Sequence, residues 1–183
     1  MILRNRFPDK HTAFKTFVAV AFPVHLWAII ITFQQFSSYA LYLTISEILG
    51  IVAYTLASTL LECILITVLL IIIGVGLPQR FFKEKIASQA ALLTPMALVV
   101  AYYVHSQDSK LFFYFQSYMR FEEWIVIWMF GMIPILIISY FVGKYQKFSE
   151  LLSKYVDRIT ILSLVYIFCD LIAVVIVILR NLF

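Results

Sequence analysis

Residues 48–77 read ILGIVAYTLASTLLECILITVLLIIIGVGL, an apolar run with a single carboxylate, Glu62, near its centre. At 1.5 Å rise per residue the run exceeds what a hydrocarbon core of about 30 Å needs, so it predicts a tilted or overlong membrane-spanning helix. Glu62 then lies close to the bilayer midplane. An ionisable side chain there costs roughly 2.5–3.5 kcal/mol on insertion scales and is expected to face protein or a water-filled cavity. The groups it faces have to come from other segments.

The composition points the same way: 63% of the 183 residues are hydrophobic and 13% charged, against about 25% charged in a soluble domain. The expected fold is all-α, a polytopic bundle of five transmembrane helices forming one domain over residues 1–183. Its spans fall at about 17–33, 48–77, 86–104, 124–142 and 159–179. The first is too long for the apolar core of a signal peptide. The polar connection 34–46 has no basic residue, whereas LPQRFFKEK over 77–85 carries Arg80, Lys83 and Lys85. The third span has small residues along one face, at Ala87, Ala90, Ala91, Thr94, Ala97 and Ala101, suited to close helix contact. Residues 111–121, LFFYFQSYMRF, fit an aromatic belt, and Phe148, Leu151, Leu152 and Tyr155 predict a basic amphipathic helix on the membrane surface before the fifth span.

Charge sets the orientation. The N-terminal lead and the second and fourth connections hold eleven of the fourteen Lys and Arg residues. The positive-inside rule therefore puts the N-terminus in the cytoplasm and the C-terminus outside. The expected location is the plasma membrane of a bacterial or archaeal cell, with the lipid bilayer as the first partner and a homo-oligomer or a larger membrane complex as the next. The basic residues follow this topology rather than forming a nucleic-acid patch.

Each expected span carries an irregularity near its middle: His25 after Pro23, Glu62, Pro95, Pro134 after Gly131, and Asp170. Proline removes a backbone donor and frees a carbonyl in the preceding turn, which in lipid has to be satisfied by neighbouring helices or cavity water. His25, Glu62 and Asp170 thus form a candidate midplane polar site. Burial and like charge raise a carboxylate pKa while an imidazole titrates near neutrality, a combination suited to proton exchange. Helical phase places Thr55, Ser58 and Thr59 on the Glu62 face toward the exterior, and Ser163 and Tyr166 on the Asp170 face toward the interior. Ala21, His25, Ala28 and Thr32 share a face of span one. The competing reading is structural, with the three ionisable groups bonding across helices and the hydroxyls bonding their own backbones.

Cys63 and Cys169 read as apolar filler, and if Glu62 faces Asp170 the two cysteines turn to opposite sides. No CxxC or HxxxH pair supports a metal, and no cofactor is expected. The chain has no GxSxG, P-loop, glycine-rich fingerprint or HExxH. The Glu122–Glu123 pair invites comparison with CAAX-type intramembrane proteases, but Ile127 stands where they require arginine, and the helix macrodipole accounts for the pair. Two functions remain: transport or permeation of a proton, cation or small solute through the midplane site, and an accessory or scaffold subunit of a larger membrane complex.

Overall fold

A computed structural model describes residues 7–76, 86–106 and 144–182, with the single positions Ile133 and Ile137. The expected fourth span, the aromatic segment 111–121, the 77–85 connection and Glu122–Glu123 lie outside the described residues. The rest form four helices, α1 (Lys10–Tyr42), α2 (Ile45–Gly76), α3 (Ile86–Ser106) and α4 (Gln146–Leu182). Three helical segments are long and apolar enough to cross a membrane: α1, Ile45–Val75 of α2 and Val165–Leu182 of α4. The described apolar stretch of α3, Ile86–Val99, is shorter.

Capping fixes the ends of the first two helices. Asp9 accepts a hydrogen bond from the Thr12 backbone N–H (3.2 Å), satisfying one of the orphan donors of the first turn of α1. At the other end the Leu43 N–H still reaches the Tyr39 carbonyl (2.9 Å), and Thr44 opens α2 at once. Thr44 and Glu47 form a capping box: the Thr44 N–H and hydroxyl donate to the Glu47 carboxylate at 2.7 and 2.8 Å. The connection expected over 34–46 therefore shrinks to Leu43 and Thr44, because residues 34–42 contain neither glycine nor proline to stop the helix.

The C-terminal region differs from expectation in the same way. The amphipathic segment and the fifth span are one helix, since no glycine or proline interrupts residues 144–183. Its inward stripe is Ser149, Leu152, Val156, Ile159, Ser163, Asp170 and Ala173, all buried, and it crosses the expected boundary without a phase break. Of the expected surface face only Leu152 is buried; Phe148, Leu151 and Tyr155 are exposed.

Contacts give the directions of the helices. Lys15 pairs with Asp157 (2.7 Å) and His25 with Asp170, so α1 and α4 run parallel. Arg180 reaches the Ser46 carbonyl (3.4 Å) and Asn181 donates to the Tyr54 hydroxyl (2.7 Å), so α2 runs antiparallel to α4. The Arg180 guanidinium reaches α2 at Gly50, where a Cβ would collide with its Nη1. On α3, Ser88 donates to the Ser149 carbonyl (3.4 Å), Ala90 and Ala91 join the core beside Ala19 and Ala21, and Val99 lies near Ile30 and Gln34, so α3 runs parallel to α1.

The core is built of small residues: Ala19, Val20, Ala21, Val24, Cys63, Ala90, Ala91 and Val156. Such residues let backbones approach closely, which is how helices associate where lipid removes the hydrophobic drive between them. The outer surface is the reverse. Leu61, Leu65, Val68, Leu69 and Ile72 of α2 and Ile161, Val165 and Phe168 of α4 are all exposed.

Candidate functional site

The site begins with Pro23. Having no N–H, it leaves the Ala19 carbonyl without its usual helical donor, two residues before His25. His25 is 1% exposed and Asp170 0%. The imidazole Nδ1 lies 2.8 Å from the Ala21 carbonyl oxygen, and Nε2 lies 2.9 and 3.1 Å from Oδ2 and Oδ1 of Asp170. A carbonyl can only accept, so Nδ1 carries a proton and donates it to Ala21. One further proton belongs between Nε2 and the carboxyl group.

That proton can sit on either partner. On Nε2 it gives an imidazolium facing a carboxylate; on Asp170 it gives a neutral imidazole accepting from a carboxylic acid. The pair is net neutral in both forms, which avoids the cost of a lone charge in an apolar interior. Removing the proton would set the Nε2 lone pair against a carboxylate. The geometry thus ties α1 to α4 through one buried hydrogen-bonded pair.

Two neighbours complete the surroundings. The Tyr166 ring stacks on the imidazole with centroids 4.7 Å apart and planes at 22°. Tyr166 is one turn before Asp170 on α4, so the helix delivers both to His25. The Cys63 sulfur is 3.8 Å from Nδ1 and is fully buried. Sequence reasoning passed over Cys63 as filler. The signal that marks it is the buried small-residue stripe of α2, Ala53, Thr59, Cys63 and Thr67.

Of the expected site, the structure brings His25 and Asp170 together and leaves Glu62 apart. Glu62 lies on the exposed side of α2, and Cys63 takes the inward position, a turn of about 100° from the expected phase. The expected Glu62–Asp170 pair is not formed; the partner of Asp170 is His25. Small side chains on the inward face let α2 close on α1, which a glutamate at that position would prevent. Both cysteines are free: Cys63 is buried and Cys169 exposed.

The supporting hydroxyls close on their own helices. Thr55 donates to the Ile51 carbonyl (2.9 Å), and Ser58 and Thr59 to the Thr55 carbonyl (2.9 and 2.7 Å). Ser163, fully buried on the Asp170 face, donates to the Thr160 carbonyl. These bonds satisfy the donors without forming a chain of hydroxyls.

The pair divides the bundle. On the side of the α1 N-terminus it rests on the alanine and valine core. On the other side lies a cavity of about 420 Å³ bounded by α1, α2 and α4, with His25, Tyr166 and Cys169 at one end and Phe33, Phe36 and Val52 toward the other. Among the described residues no group of three His, Cys, Asp or Glu residues is placed to hold a metal ion. No protein-family model, curated protein or solved structure matches the chain, so its function is read from its own residues.

Proposed function

We propose that the chain is a five-span integral membrane protein in which the His25–Asp170 pair exchanges a proton, as part of proton or cation transport. The observation that carries this reading is the buried His25–Asp170 contact, which joins two parallel helices with Nδ1 already committed to the Ala21 carbonyl. Ionisable groups at membrane depth are functional candidates by default.

Helix direction supports the five-span count. α3 and α4 run parallel, and the apolar stretch 124–142 between them in sequence has the length of one further span.

Purified protein reconstituted into liposomes with an imposed pH gradient tests the reading. Wild type is expected to dissipate the gradient, Asp170→Asn and His25→Gln to reduce flux to the level of empty vesicles, and Glu62→Gln to retain it. Flux that survives Asp170→Asn overturns the assignment.

One observation favours the accessory-subunit reading: Thr55, Ser58, Thr59 and Ser163 each bond their own helix, so these hydroxyls supply no wire to the pair. In that reading the pair pins α1 to α4, and the protein is recovered from its native membrane in a stable complex with a larger partner. It then shows no flux of its own.

A further inference from the structure

The cavity is distinct from the proton-sharing pair in its chemistry. Its side walls are Ala28, Ile29, Phe33, Phe36, Leu56 and Val165. The Thr32 and Thr55 hydroxyls, which also border it, are turned back onto the Ala28 and Ile51 carbonyls at 2.8 and 2.9 Å. The Tyr166 hydroxyl is itself buried, so that residue offers the cavity its ring. A water molecule needs two to four polar partners, and apolar cavities of this kind stay dry and take up apolar molecules.

Shape narrows the class of occupant. From His25 to Phe36 the cavity follows α1 for about 16 Å at 1.5 Å per residue. An apolar space of about 420 Å³ drawn out along one helix suits an extended hydrocarbon chain. The bordering residues Ile29, Phe33, Phe36 and Val165 are also exposed on the outside of the bundle, so the cavity lies level with the apolar surface that lipid would cover. We propose that it holds a single acyl chain of a bilayer phospholipid, with the terminal methyl against the edge of the His25 ring. The assignment goes beyond the transport reading and does not depend on it.

The test uses the full-length protein in phosphatidylcholine vesicles in which one acyl chain carries a terminal diazirine. After photolysis, crosslinked residues are mapped by mass spectrometry. The expected result is labelling of Ala28, Ile29, Leu56 and Val165 several-fold above that of Leu65 and Val68, which face outward on α2. Ala28→Phe, which fills the cavity, is expected to remove the excess while labelling of Leu65 and Val68 persists, showing that the helices are intact. Leu56→Phe supplies a second filling variant should the first not accumulate. Labelling of the cavity residues no higher than that of Leu65 and Val68, or excess labelling unchanged by both substitutions, overturns the proposal.

Discussion

At the scale of single residues, the proton count at His25 makes its variants distinguishable. Asp170→Asn keeps a donor for Nε2 of the neutral imidazole and removes the exchangeable proton. It is expected to leave thermal unfolding close to wild type while abolishing flux. Asp170→Leu leaves Nε2 buried without a partner, which costs roughly 1–3 kcal/mol. The measurement is the detergent-solubilised unfolding midpoint of both variants, and equal midpoints would contradict the pairing. Asp9 gives a separate prediction outside the membrane-spanning helices. Hydrogen bonding from the Thr12 side chain and its backbone N–H holds the Asp9 carboxyl below its ordinary value. A lowered folded-state pKa stabilises the cap above the unfolded value, and that contribution is lost as pH falls through the folded one. Amide exchange over the first turn of α1 is therefore expected to quicken in acid. Asp9→Asn, which still caps but does not titrate, is expected to flatten the response.

At the scale of the elements, continuity and phase decide the packing. The 37 residues of α4 form one helix, and buried positions at alternating steps of three and four residues, with one step of seven, run from Ser149 to Ala173. That stripe was legible in part: Ser163 and Tyr166 were placed on the Asp170 face, and His25 on the narrow face with Ala21. What was not legible was which of two adjacent α2 residues points inward. Arguing from the cost of a midplane carboxylate favours Glu62. The close approach permitted by Ala53, Thr59, Cys63 and Thr67 favours the neighbouring phase, and packing decides for Cys63. Span one was expected to end at 33 because 34–42 is polar, and the amphipathic helix was expected to be separate from the fifth span; neither 34–42 nor 144–158 holds a glycine or proline to break the helix. Cys63→Leu is expected to push α2 from α1 and cost roughly 1–3 kcal/mol by overpacking. Leu65→Ala, on the exposed face, is expected to be near neutral, and the order of their unfolding midpoints checks the phase.

At the scale of the molecule, three long apolar helices and their exposed leucine, isoleucine and phenylalanine surfaces suit a bilayer and not water. Composition made this class plain from the sequence, since nearly every apolar run exceeds what a soluble core uses. The expected five spans come from the apolar runs and their orientation from the eleven of fourteen basic residues in alternate connections; among the described residues three helices are long and apolar enough to cross a membrane. A reporter fused after Phe183 is expected to be active only outside the cytoplasm, and one fused before Met1 only inside; activity of both on one side would mean an even number of crossings. His25 of α1, Asp170 of α4 and Cys63 of α2 meet where three helices converge, so the protonation of this pair tests the whole account. The most direct measurement is the ¹⁵N spectrum of histidine-labelled protein in nanodiscs, with the His25 signals assigned through His25→Gln and recorded from acid to alkaline buffer. The account predicts that Nδ1 stays protonated throughout while the Nε2 signal shifts with pH and exchanges its proton with the medium. An Nε2 signal that neither shifts nor exchanges would make the pair a fixed structural link and contradict the proton-exchange reading.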